Sequence, residues 1–277
     1  MDPATIIGLL LAFGAMFTML FMEGANVSSI LLPAPMIIVF FGTIAVGIAS
    51  GTISDTIIAV KSLPAAFRGK IAPVGELISR LVELADLARK EGLLALESEA
   101  RETKDPFLGR ALQSMADGMD GDELRDQLED EISTRERSDA IAHKWFATLG
   151  GYAPTVGIIG TVISLTHVLE NLSKPDELGH MIAAAFVATL WGLVSANFIW
   201  LPIGTRLRRL SELEIDSMTL AMEGVLAIQG GTQSILLEEK LRAMVPSYAL
   251  STKNEKKNGK KSNFGAASVL DDYKEAA

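Results

Sequence analysis

Residues 145–169 read WFATLGGYAPTVGIIGTVISLTHVL, a stretch without a single Asp, Glu, Lys or Arg. A helix crosses the hydrocarbon core of a bilayer with about 20 residues at about 1.5 Å each, so this stretch is long enough to span. Residues 3–22, 24–54 and 179–205 meet the same criterion. The second of the four exceeds what a span needs, and Pro33 and Pro35 set the start of its helix near Ala34, because proline suits a first turn and not an interior. Buried helices of water-soluble proteins rarely run so far without a charge, and four in one chain exclude that reading. No cleavable signal peptide is expected, since the first basic residue is Lys61 and the first apolar stretch leads directly into the second. The predicted fold is an all-α integral membrane protein with four transmembrane helices.

Basic residues set the orientation. Of the 25 Lys and Arg, all but Lys174 lie in residues 55–144 or after residue 205, where Arg206, Arg208 and Arg209 cluster. Those segments and both termini are therefore expected in the cytoplasm, at a cytoplasmic membrane. The organisation that follows is spans one and two in residues 1–54, a cytoplasmic helical loop in 55–144, spans three and four in 145–205, a cytoplasmic helical extension in 206–250, and a disordered polar tail in 251–277. The net charge of −9 argues against a nucleic-acid partner, whose phosphates require a basic face.

Within the loop, SDTIIAVKSLPAAFRGK predicts a short amphipathic helix with Ser54 and Asp55 as caps and Pro64 as its end. Leu77, Leu81, Leu84 and Leu87 share one face of a second helix that Gly92 closes, and LLALESEARE starts another. Asp105 caps a helix from Pro106 to about Asp117, stopped at Gly118. From Asp122 a single helix runs without Pro or Gly into span three, and span four continues outward past Arg206 with Leu207, Leu210, Met218 and Met222 on an apolar face.

Signatures of hydrolases and nucleotide binding are absent, and His143, His167 and His180 are scattered, so no catalytic residue, metal site or cofactor is expected. Ion pathways through lipid generally need a titrating side chain within the bilayer, and no span carries one near its centre. If protons move here, another chain supplies the carboxylate. Spans three and four are nonetheless unlike simple lipid-facing helices. They collect Gly150, Gly151, Gly157, Gly160 and Gly192, hydroxyls at Thr155, Thr161, Ser164, Thr189 and Ser195, and prolines at Pro154 and Pro202. Small residues let helix backbones approach, and a mid-membrane proline frees a carbonyl and bends the helix.

These features, with MEGANVSSILLPAPMIIVFFGTI (22–44), ARKEGLLALE (88–97), GGYAPTVGIIGTVISL (150–165), ATLWG (188–192) and EGVLAIQGG (223–231) in that order, resemble the MotA family of flagellar motor stator subunits up to about Ser247. The resemblance implies a proton channel and force generator. It places Arg89 and Glu97 as charges facing the rotor protein FliG, and Pro154 and Pro202 as residues coupling ion flow to movement. Thr189 becomes a pore-side hydroxyl, with Thr161 and Thr155 on the adjoining span. It also implies a homo-pentamer around a MotB-type single-span partner whose aspartate carries the ion, with spans one and two towards membrane lipid. Ala188, where sodium-type relatives often carry a second threonine, implies protons. Thr232, Gln233 and Ser234 depart from the Asn-Pro-Arg run common in the family. The alternatives are a relative of the TolQ and ExbB envelope energisers, which usually have three spans, and an unrelated four-span scaffold.

Overall fold

The computed structural model describes residues 4–69, 73–173 and 175–250, and the predicted tail at 251–277 lies outside them. Among the described residues every regular element is helical: α1 (Ala4–Met22), α2 (Pro33–Ala49), α3 (Ile53–Arg68), α4 (Val74–Glu91), α5 (Leu96–Glu102), α6 (Pro106–Ala116), α7 (Gly121–Glu170), α8 (Pro175–Val194), α9 (Leu201–Gln229), α10 (Ser234–Ala243) and α11 (Ser247–Leu250). A π-helical segment, Ser195–Trp200, joins α8 to α9, so Glu177–Gln229 runs as one 53-residue helix. Three helices among the described residues are long and apolar enough to cross a membrane: Thr5–Met22, Gly121–Glu170 and Glu177–Gln229. The fourth apolar helix, α2, has 17 residues, which is the short end of what a bilayer requires.

Local chemistry explains most boundaries. Pro33 opens α2, where its missing amide costs nothing. Asp105 caps α6 by accepting from the amides of Phe107 and Leu108, as its place before Pro106 predicts. Gly92 ends α4 at φ 85°, a conformation that side-chain-bearing residues avoid. The start and end of α3 differ from expectation. Thr52, not Ser54, is its N-cap, and Asp55 is the far half of a capping box, its carboxylate accepting from the Thr52 amide at 2.8 Å. Pro64 does not end α3, which continues to Arg68 because Ala66 is fully buried in a cluster with Trp145, Phe146 and Leu207. Tertiary packing there offsets the lost hydrogen bond.

The described residues form two compact units, the first within residues 4–69 and 134–213, the second within 73–133 and 214–250. In the first, α2 packs on α8 through Val39, which clusters with Val187, Trp191 and Val194, and on α7 through Gly47 against Leu149 and Trp145, while Thr5–Met22 of α1 buries none of its length. Trp191 ties α8 to the segment before α2 by donating its indole N–H to the Ile30 carbonyl at 2.6 Å. In the second, Leu81 and Leu84 of α4, Leu112 and Met115 of α6, Leu124 and Leu128 of α7, Val225 of α9, and Leu237 and Leu241 of α10 form a closed core. The buried face of α4 is centred on Ile78, Leu81, Leu84 and Ala85, with Leu77, Leu87 and Ala88 at its margin.

Candidate functional site

Within the charge-free part of the first unit, hydroxyls of two helices meet where α7 crosses α8. Gly157 and Gly192 face each other without side chains between them: a Cβ on Gly157 would lie 2.9 Å from the Ala188 carbonyl oxygen and 3.1 Å from Gly192 Cα. On Gly192 it would lie 2.9 Å from the Ala153 oxygen. Gly160 continues the contact, its Cβ position being 3.0 Å from both Ala188 Cβ and Ile38 Cγ2. Backbones this close allow short side chains to reach across. Thr161 hydrogen bonds with Thr189, and its own proton is within reach of the Gly157 carbonyl at 3.1 Å and the Ala185 carbonyl at 3.0 Å. A hydroxyl has one proton and two lone pairs, so Thr161 can accept from Thr189 while donating to one carbonyl.

The two prolines stand on the same side of this crossing, towards Gly150 on α7 and Leu201 on α9. Pro154 sits inside α7 without breaking it, and it removes the amide that would bond the Gly150 carbonyl. Gly150 is buried against Leu201, whose Cδ2 lies 2.4 Å from where its Cβ would be, and Leu201 immediately precedes Pro202. The two helix irregularities therefore share a contact. Pro202 itself follows the π-helical segment and lines a groove of about 580 Å³ with Gly8, Ala12, Asn197 and Arg209. Thr155 is not part of the threonine pair: it is exposed and donates to the Tyr152 carbonyl of its own helix at 2.7 Å.

Sequence reasoning missed the partner of each glycine, the Trp191 tie and Thr43. The last is fully buried on α2 with a hydroxyl that has no hydrogen-bond partner among the described residues. No pattern in the sequence marks it, because a threonine in an apolar helix normally bonds to its own preceding turn. His167 and His180 come together on a cavity of about 540 Å³ with Pro35, Ile38 and Ser164. Among the described residues no group of three or more His, Asp or Glu is placed to hold a metal ion.

The remaining two predicted residues belong to the second unit. Arg89 is exposed on the last turn of α4, where a cation complements the helix dipole, and it makes no ion pair among the described residues. Glu97 opens α5 and leans on Arg101 at 2.5 Å, so the two charges are near in sequence but not joined to each other. Deeper in this unit Glu223 accepts from Lys240 at 2.7 Å and Arg125 at 3.0 Å. Those hydrogen bonds, Lys240 foremost, hold its carboxyl below the usual carboxylate range.

Two charge-free helix stretches in backbone contact, in a chain that also folds a leucine-cored helical unit, define a helical membrane protein with a polar seam and no titrating group of its own in that seam. Comparison with known proteins narrows the class. Residues 99–219 match the MotA/TolQ/ExbB proton channel family. Motility protein A of Bacillus subtilis is 34% identical over 269 residues, covering 94% of this chain and 98% of that protein. Chemotaxis protein PomA of Vibrio alginolyticus is 32% identical over 242 residues, 87% of this chain and 94% of PomA. The solved flagellar MotAB stator complex from Bacillus subtilis superposes with a TM-score of 0.83 at 34% identity, over 89% of this chain and 97% of that one. The C. jejuni MotAB structure gives 0.86 at 28% identity with the same coverage. The chain belongs to the MotA/TolQ/ExbB proton channel family.

Proposed function

We propose that this chain is the channel and force-generating subunit of a flagellar motor stator, acting with a MotB-type single-span subunit to turn proton flow into torque. The observation that carries this reading is the near full-length likeness to Motility protein A and to MotAB stator structures, joined to spans that lack a central carboxylate. The missing acid is then the partner's aspartate, and the Thr161 and Thr189 hydroxyls are polar groups beside its path. Pro154 and Pro202 couple ion passage to helix movement, a role supported by the shared Gly150 and Leu201 contact. The protein has no catalytic chemistry of its own in this reading.

In the bacterial cytoplasmic membrane the chain crosses four times, α2 being the shortest span, with both termini, residues 55–144 and residues 206–250 in the cytoplasm. The distribution of Lys and Arg supports that orientation. The exposed α1 is covered by lipid or by neighbouring copies, in keeping with a pentamer around the single-span partner. Arg89 and Glu97 meet the rotor protein FliG, where exposed charges tune encounter and register more than affinity. Protons are the ion favoured by the family match and by Ala188, which is fully buried against Gly160 and leaves little room for the larger threonine. Deleting the gene should leave cells flagellated and non-motile, with motility restored by the wild-type chain; swimming by the deletion strain would refute the stator reading. Swimming speed that follows external sodium at fixed proton-motive force would refute the proton assignment.

A further inference from the structure

The segment between α4 and α5 holds an arrangement that the charge reading does not use. Gly92, at φ 85° and ψ 168°, turns the chain sharply, and Leu93–Ala95 form one 3₁₀ turn closed by the Ala95 amide on the Gly92 carbonyl at 3.2 Å. The three leucines of this knuckle have different fates. Leu96 is fully buried and Leu93 packs against the same leucine core, whereas Leu94 is 72% exposed. Scattered exposed leucines are ordinary on protein surfaces. This one differs in two respects. Its neighbours on both sides are locked into the core and its backbone is set by a left-handed glycine, so the chain cannot fold the side chain inward without unpacking Leu93 or Leu96. It also stands between charges of both signs, with Arg89, Lys90 and Glu91 on the last turn of α4 and Glu97 on the first turn of α5. Arg89, Lys90 and Glu91 make no ion pair among the described residues, so they retain their charge for a partner.

A rigid apolar knob flanked along the chain by charges, with Glu97 held by Arg101 and the other three without an ion pair among the described residues, is the plan of an interface hot spot: the desolvated centre supplies affinity, while the polar rim excludes water and sets register. Neither a lipid surface nor a nucleic acid fits, because each would select one sign of charge. We propose that Leu94 is the apolar anchor of the rotor contact, entering an apolar socket on the partner protein that is rimmed by both acidic and basic side chains. The proposal rests on the reading of Arg89 and Glu97 as rotor-facing, and adds that their charges alone do not hold the contact.

The test uses the full-length chain assembled with its single-span partner, with Leu94→Gln, Leu94→Met and Arg89→Glu compared. Binding of the purified complex to purified FliG is measured across a salt series, and torque per stator and thermal melting are measured alongside. Leu94→Gln should weaken binding about tenfold at every salt concentration and lower torque, with melting and the salt dependence unchanged, as expected for loss of a central apolar contact. Leu94→Met should retain most of the binding, and Arg89→Glu should alter the salt dependence instead. Wild-type binding and torque for Leu94→Gln beside an impaired Arg89→Glu would overturn the anchor and leave the charge reading standing. Unimpaired behaviour of both variants would overturn both, and a lowered melting temperature for Leu94→Gln would make Leu94 a structural residue and overturn the proposal.

Discussion

Where α7 meets α8, glycine faces glycine; where α4 meets α9, the Leu81 side chain fills the space that Gly224 leaves, its Cδ1 2.6 Å from the position of a Cβ there. Both contacts need glycine, for opposite physical reasons. In the apolar unit, lipid tails solvate a leucine as well as another helix does, so helix association draws on close backbone packing and short polar bridges. Gly157, Gly192 and the Thr161 and Thr189 pair provide those terms. In the second unit apolar surface is withdrawn from water, and large side chains are the effective currency. Leu81, Leu84, Leu112, Leu124, Leu128, Leu237 and Leu241 are each almost fully buried there. One chain thus uses two kinds of packing, each suited to its solvent.

The contrast can be tested by removing what each region depends on. Leu81→Ala should have the largest effect, destabilising the leucine-cored unit by about 2–5 kcal/mol, because it deletes buried methyl groups and leaves a cavity beside Gly224. Thermal melting of the purified complex checks this, and unchanged melting would mean the core tolerates the void. Next is Gly157→Ala, whose new methyl meets backbone atoms that cannot swing aside, at an expected cost of about 1–3 kcal/mol together with loss of swimming. Gly151→Ala is its control, since nothing lies within 4 Å of that Cβ position and helix propensity alone predicts a gain of up to about 1 kcal/mol. Equal effects at the two positions would remove the argument for a backbone crossing.

A smaller effect concerns Glu223. Its carboxyl is held below the ordinary value of 4.5 in the folded chain, so its contribution is complete above that pH and is lost as the pH falls through the depressed folded value. Acidification below about pH 4.5 should therefore lower the melting temperature. Glu223→Gln should flatten that dependence and cost about 1 kcal/mol at neutral pH, a modest figure because solvent reaches all three partners. Smallest is the coupling between Thr161 and Thr189. A double-mutant cycle with valine at each position should return about 0.6 kcal/mol, the average for hydrogen bonds between helices in lipid. A coupling indistinguishable from zero would reduce the pair to two independent polar residues.

Much of the fold was legible because the signals are local. A proline after Asp105, a glycine after Glu91 and an uninterrupted run from Asp122 each act within a turn of their own position, and α6, α4 and α7 follow them. Pro64 misled because its local cost is outweighed by distant residues: Ala66 lies fully buried in the cluster around Trp145 and Phe146, and no rule confined to one helix can see them. The candidate site divides in the same way. Which residues were small, hydroxylated or charged was plain, yet Thr155 and Thr161 are chemically alike, and only the rotation of α7 against α8 turns one outward and the other onto Thr189.

By itself, then, the sequence determined that this protein carries helices apolar enough to enter a membrane, and that the four long charge-free stretches hold no carboxylate of their own. Those properties depend on length, charge and hydropathy, which are additive along the chain. Tertiary structure alone decided that Gly157 meets Gly192, that Gly150 links the neighbourhoods of the two prolines, and that Leu94 faces outward while Leu93 and Leu96 face in. Those outcomes depend on close packing between residues far apart in the chain, where a fraction of an ångström separates a contact from a clash.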